Sequence, residues 1–182
     1  MMTRQEAFDL VTSMVSNKNL IKHMLATEAC MRQLAKHFGE NEEEWGLVGL
    51  LHDVDYDSTC HSPEKHTLIA EDILRQKGIS EEHIKAIKGH CDQAERDTKM
   101  AKTLYAVDPI TGLIVAAVLM HPEKKLAKVD KEFILRRYKE KGFAKGANRE
   151  QIAKCADIGL PIEDFTGLCL QAMTNVANDL GF

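Results

Sequence analysis

Aromatic residues are scarce in this chain, with one Trp, three Tyr and six Phe, and only four prolines and eleven glycines interrupt it. So few breakers, set against abundant Ala, Leu, Ile, Lys and Glu, point to a mostly helical protein. No stretch alternates in the manner of a strand, and there is no internal repeat or low-complexity tract. No C-x-x-C pair occurs. The cysteines, Cys30, Cys60, Cys91, Cys155 and Cys169, are odd in number and far apart, which argues against a disulfide framework. They read as reduced thiols, mostly small core residues, although Cys60 and Cys91 adjoin candidate ligands. No apolar run approaches the roughly 20 residues that span a bilayer. Residues Met1 to Glu6 lack the apolar core of a signal peptide. A cytoplasmic protein without a membrane partner is the expectation. Excess positive charge is also missing: the net charge is −4, so no nucleic-acid partner is expected.

The 182 residues suffice for one domain with a sizeable core. We read a single domain over 1–182, with a motif-bearing core over 18–120 and a helical extension over 121–182. The fold class is all-α, a bundle of about eight helices. The apolar stripe Leu20, Met24, Met31, Leu34 and Phe38 predicts a helix from about Leu20 to Phe38 that Gly39 ends, with Thr27 as its polar member. Glu42 to Glu44 open the next helix. Residues 54–61 read as a polar loop. Ser62-Pro63 predicts a helix start, with a stripe of His66, Ile69, Ala70, Ile73 and Leu74. Ser80 caps a further helix. Pro109 is expected to bend the following helix or begin a new turn, and Thr111 to Met120 is the most buried segment. Asn148 and Gln151 form a capping-box pattern, and Pro161 opens the last helix.

The chain is organised around Leu50-Leu51-His52-Asp53-Val54-Asp55-Tyr56-Asp57. Here an apolar run ends in a histidine beside three carboxylates, and a buried aspartate without a partner costs several kcal/mol. A plain helix cap would account for this dipeptide taken alone. Four other helices, however, also set an ionisable group on an apolar face: His23, His66, His90 and Asp108. Desolvated histidines and aspartates become tolerable together when they converge on cations. His23, His52, Asp53 and Asp108 could hold one ion, and His66 with His90 could complete a second site. Such mixed N/O donors suit Fe, Mn, Zn, Co or Ni, and Mg if fewer histidines bind.

The order His23, His52-Asp53, Asp108, with His66 and His90 between, resembles the HD-domain phosphohydrolase superfamily. The local text resembles its small HDIG-like members at Gly49-Leu50-Leu51-His52-Asp53, Pro63-Glu64-Lys65-His66 and Tyr105-Ala106-Val107-Asp108. The likeness covers about residues 18 to 120, and Phe143 to Glu150 is similar to the tail of a subfamily of small HD hydrolases. The resemblance implies a helical bundle, one or two divalent metals, and hydrolysis of phosphate esters, often of nucleotides. It also implies that His23, His52, Asp53 and Asp108 are core ligands and that His66 and His90 serve a second ion. The chain departs from the pattern at Asp55, where many members have glycine, and at Gly89-His90, where some have a His doublet.

The expected substrate is a small phosphorylated metabolite or nucleotide. Asp57 or Asp55 could carry a proton to or from the reacting water, alongside Asp53 at the centre. Lys65, Lys99 and Lys102 are candidate phosphate contacts. His37, His61, His83 and His121 fit no ligand position. The basic stretch from Lys124 to Lys145 is interspersed with Asp130, Glu132 and Glu140 and reads as a solvated face. Two competing functions are a di-iron oxygenase on the same scaffold and a non-catalytic domain that binds a nucleotide or partner. The oligomeric state stays open.

Overall fold

A computed structural model describes residues 2–182. Among them are eleven α-helices and no strand: α1 (Arg4–Met14), α2 (Lys18–Phe38), α3 (Glu42–Leu51), α4 (Tyr56–Thr59), α5 (Leu68–Gln76), α6 (Glu81–Gly89), α7 (Lys99–Met120), α8 (Lys131–Lys139), α9 (Arg149–Ala153), α10 (Ile162–Asn175) and α11 (Ala177–Leu180). Eight of these have nine residues or more, and the other three are short turns of four or five residues. The starts follow side-chain chemistry. Thr3 and Glu6 form a capping box, and Asn17, Asn41, Ser80, Thr98, Asp130 and Asn148 each accept a backbone N–H at the start of a helix.

Helices α2, α3 and α7 form the frame. The core is built from Met24, Leu34, Leu50, Leu51, Leu104, Ile110, Leu113 and Phe165, all fully buried. Helix α7 packs against α2, α6, α8 and α9. By length and composition α7 could cross a membrane, contrary to the expectation that no run reaches that size, but 61% of that stretch is buried inside the bundle. It is the central helix of a core. Pro109 does not divide it, because loss of one rung leaves most of the ladder and its packed faces intact.

Several local expectations are corrected. Residues 54–61 contain the single turn α4 rather than a plain loop. No helix starts at Ser62. A 3-10 turn spans Pro63–Lys65, Thr67 adopts φ +68°, and α5 begins only at Leu68. The shift leaves Ile69 41% exposed, off the buried stripe. The cause is Asp55, whose buried carboxylate accepts the N–H groups of Thr67 (3.2 Å) and Ala70 (2.9 Å) and so caps α5 from outside. Asn148 caps α9, but Gln151 sends its amide to the carbonyl of His90 (3.3 Å) instead of back to the cap.

Two contacts hold the frame that carries the site. Glu28 on α2 is nearly buried and accepts from Arg4 (2.7 Å) and Arg32 (2.9 Å), and Arg32 also reaches Glu43, so one carboxylate ties α1 and α2 toward α3. Asp57 accepts the Ser16 N–H (2.7 Å), the Ser16 hydroxyl (2.9 Å) and the Asn17 N–H (3.1 Å) and fastens the α1–α2 link. At Gly49 helices α3 and α2 approach so closely that a Cβ would lie 2.9 Å from the Thr27 carbonyl oxygen and 3.0 Å from the Glu28 backbone.

Two outcomes follow for stability. Gly49→Ala should lower unfolding free energy by about 1–3 kcal/mol in denaturant titration, because backbone atoms cannot step aside as a side chain can. Asp57→Asn should cost about 1 kcal/mol at neutral pH. The Ser16 and Asn17 donors hold the Asp57 carboxyl below its ordinary value. Its stabilisation is therefore present above the unfolded pKa, near 4, and is lost as pH falls through the lower folded value. The difference in melting temperature between Asp57→Asn and the parent should close below about pH 4 and persist above it.

Candidate metal centre

Four imidazoles and two carboxylates from four helices and one turn meet at the C-terminal end of α3. His23 comes from α2, His52 and Asp53 from the end of α3, His66 from the turn before α5, His90 from the end of α6 and Asp108 from the middle of α7. His52 is wholly buried, while Asp53, His66 and His90 are at most 7% exposed. His23 and Asp108 form the open side, with side chains 23% and 26% exposed.

Asp53 divides the cluster. Its Oδ2 lies 3.4 Å from His52 Nε2 and 3.6 Å from His23 Nε2. Asp108 Oδ1 is 3.1 Å from His23 Nε2 and 3.9 Å from His52 Nε2. Asp53 Oδ1 turns the other way, 3.2 Å from His66 Nε2 and 3.3 Å from His90 Nε2. Donors around a first-row cation held at about 2.0–2.2 Å sit roughly 3.0–3.5 Å from one another. The distances from Asp53 to His66 and His90 have that spacing, those among His23, His52, Asp53 and Asp108 run somewhat wider, from 3.1 to 3.9 Å, and one carboxylate is shared between the two groups.

The hydrogen bonds behind the rings set the tautomers. His52 Nδ1 donates to the Gly49 carbonyl (2.8 Å), His90 Nδ1 to the Ile87 carbonyl (2.6 Å) and His66 Nδ1 to Asp55 (2.9 Å). The Thr111 hydroxyl donates to the Asp108 carbonyl, so His23 Nδ1 donates to Thr111 Oγ1 (3.0 Å). Each neutral ring then presents a bare Nε2 lone pair. Two such pairs face each other directly, His23 with His52 at 3.2 Å and His66 with His90 at 3.1 Å. Lone pairs at that distance repel unless a proton or a cation lies between them. This is the fit of the residues to divalent metal: outer hydrogen bonds orient four histidines so that their free nitrogens converge.

The electrostatics agree. Burial works against the charge of Asp53, but His52, His66 and His90 outweigh it and hold the carboxyl well below the usual range. Burial likewise opposes a charged His66, and Asp53 with Asp55 overcomes it, raising its pKa to about 9. Asp108 is lowered against its own burial by His23. Without a cation, a proton on His66 offsets part of this negative charge, so metal and proton compete for the same place.

Other expected site residues lie elsewhere. Asp57 faces Ser16 and Asn17, and Asp55 is fully buried behind His66 with its oxygens already engaged, so neither carboxylate meets the cleft. Lys99 lies over the Phe38 ring and 3.6 Å from Glu40. Lys102 lines a separate cavity with Arg96 and Tyr105. Lys65 is exposed on the 3-10 turn and does not line the cleft. The cleft over the donors, about 470 Å³, is lined instead by Leu20, Tyr56, Cys91, Asp92 and Gln151 beside His23, Asp53, His66, His90 and Asp108. Of these, Cys91 is close enough to His66 and His90 to form a third possible donor group. Burial raises its thiol pKa, and it donates to the Lys88 carbonyl. Thr111 could have been found from its place one turn beyond Asp108. Gln151 carried no such signal, since it lies 61 residues from its partner His90.

The role of Asp55 can be tested directly. Asp55→Asn keeps the shape but loses the charge behind His66, and should weaken binding of a metal held by His66 and His90 by about 10–100-fold in calorimetric titration with Mn or Co.

A model of the HD domain family matches residues 20–157, which include all six converging donors. Ribonuclease Y of Thermosipho melanesiensis is 28% identical over 136 residues, 73% of this chain and 27% of that protein. Ribonuclease Y of Fervidobacterium nodosum is 28% identical over 136 residues, 73% and 26% of the two chains. For Ribonuclease Y of Thermotoga maritima the identity is 26% over 136 residues, 73% and 27%. The chain spans about a quarter of the length of these curated relatives. HD domains are helical, bind divalent metals and imply metal-dependent phosphohydrolase chemistry. With the family model covering most of its length and the donor cluster inside that match, the chain belongs to the HD domain family.

Proposed function

We propose that this protein is a two-metal phosphohydrolase of a small phosphorylated metabolite or nucleotide. The observation that carries the reading is the split carboxylate of Asp53, one oxygen toward His23, His52 and Asp108 and the other toward His66 and His90. His23, His52, Asp53 and Asp108 would hold one ion, and Asp53, His66 and His90 the other. Bound there, divalent metal supplies a Lewis acid for a phosphoryl oxygen and lowers the pKa of water toward neutrality.

The protein's own part is placement and exclusion of water. His52 and Asp53 are fixed by the packing of α3 on α2, so their positions change little on loading. The His23 and Asp108 side is open, and the phosphoryl group enters there. Tyr56 covers His66 with an edge contact (ring centroids 5.2 Å apart) and stands at the mouth of the cleft. Asp92 also borders the mouth, but Arg96 engages it at 2.6 Å. With Asp55 and Asp57 turned away, no second aspartate beside Asp53 on this segment serves as proton carrier.

The test is a screen of phosphomonoesters, nucleotides, cyclic dinucleotides and a short RNA with Mn, Co, Ni, Mg and Fe. Asp53→Asn should abolish phosphate release with every metal and lose bound metal by elemental analysis, since the amide cannot bridge with two anionic oxygens. Asp57→Asn should stay within about twofold of the parent, because a true general acid or base would cost about 10²–10⁴-fold. A folded, metal-loaded Asp53→Asn protein with parental activity would overturn the reading. Oxygen uptake by the iron-loaded protein without phosphate release would place it among the oxygenases instead.

A further inference from the structure

The accessible face of α7 changes character after Asp108. Asp108, Gly112, Val115 and Leu119 follow the helical repeat and form an open stripe, flanked by Ala116 and Met120, on a half of the helix whose remaining residues are buried. The open face of a helix is ordinarily polar. Here no charged residue follows Asp108 in the helix, and Leu119 and Met120 are 51% and 61% exposed. Leu180 and Phe182 join Val115 and Leu119 around a cavity of about 410 Å³ whose lining is mostly apolar, with Asn19 and Lys22 of α2 as polar members of its wall. A smaller cavity of about 270 Å³ borders it at Gly112 and borders the metal cleft at Asp108, and His23 lines all three. The three spaces follow one another along α7 for about 16 Å, eleven residues at the helical rise.

Gly112 is the second observation. Glycine is less favourable than alanine inside a helix. Yet a Cβ at position 112 would meet nothing within 4 Å. No neighbour in the chain calls for glycine there. What the missing side chain provides is open space where the apolar cavity meets the metal donors.

We propose that this channel holds the organic part of the substrate, and that the substrate is a phosphate ester of a predominantly apolar alcohol. The phosphoryl group sits at the donors and the organic group passes over Gly112 to lie between Leu119 and Phe182. The assignment rests on the phosphohydrolase reading and narrows its substrate class. It also explains an exposed apolar stripe directly beside a polar centre: the stripe is covered when the organic group is in place.

The experiment measures binding, apart from turnover. In the Mn-loaded protein, decylphosphonate should bind at least about tenfold tighter than methylphosphonate by calorimetry, the scale set by removing part of the alkyl chain from water. Gly112→Leu, which fills the channel, should weaken the decyl compound at least about tenfold more than methylphosphonate. Gly112→Ala should fall between them. Leu119→Asp, at an exposed position that leaves the core untouched, should reduce the same preference. Equal affinity of the two phosphonates for the parent protein, or a decyl preference unaltered in both Gly112→Leu and Leu119→Asp, overturns the proposal. Ester hydrolysis with equal phosphonate affinities would leave the hydrolase standing and remove the subsite. A decyl preference without hydrolysis of any ester would do the reverse.

Discussion

The charge on Asp53 is the constraint to which the surrounding structure answers. A carboxylate that is 7% exposed has lost almost all of its hydration. Isolated, it would cost several kcal/mol, a large share of the stability of a domain this size. Four imidazoles and the more open Asp108 enclose it, and their approach requires five helical elements to end or pass at one point. The bundle is in this sense built around a deficit. Its helices supply the apolar burial that stabilises the fold, and their meeting point carries the group that opposes it.

Asp55 shows how the deficit propagates into the backbone. It is fully buried two residues from Asp53, and burial pushes its pKa up while His66 and the N–H groups of Ala70 and Thr67 outweigh that and bring it below the usual value. Those N–H bonds hold Thr67 at positive φ and delay the start of α5 to Leu68. A β-branched residue in that region is strained. The strain places His66 with Nδ1 on Asp55 and Nε2 toward His90, so distorted backbone and oriented ring have one cause. The same carboxylate therefore ends a possible helix and aims a donor.

This explains what was legible in the sequence. Helices α2, α3, α6 and α7 were readable because each buries an apolar face, and five of the six donors lie in or at the end of those helices, whereas His66 was read from a helix stripe that the structure replaces with a 3-10 turn. The departures arise where a distant side chain overrides local pattern. Ser62-Pro63 is a good helix start, but Asp55 takes the N–H groups that a helix there would organise. Asp57 lies in the motif's own octapeptide, yet its partners are Ser16 and Asn17, 40 residues earlier. Gln151 fits a capping box but finds the His90 carbonyl. Pro109 signals a break, but the buried faces on both sides keep α7 whole. Capping and periodicity act within a few residues, whereas each of these outcomes is decided by a contact across the fold.

The two halves of the centre consequently differ in rigidity. His23, His52 and Asp108 stand within or at the end of the helices that form the core, and Gly49 leaves α3 no room to shift against α2. His66 follows a three-residue 3-10 turn, its neighbour Thr67 is strained, and Leu68 and Ile69 beside it are exposed. His90 sits where α6 ends, one residue before the thiol of Cys91 and two before Asp92, itself at positive φ. A donor set held by packed helices loses little freedom on binding a cation, whereas a set on turns must be ordered as it binds. Asp53 belongs to both sets. In the proposed two-metal centre, the rigid side with its already fixed Asp53 would take its cation at little ordering cost, and the turn-borne His66 and His90 would carry most of the ordering cost of a second.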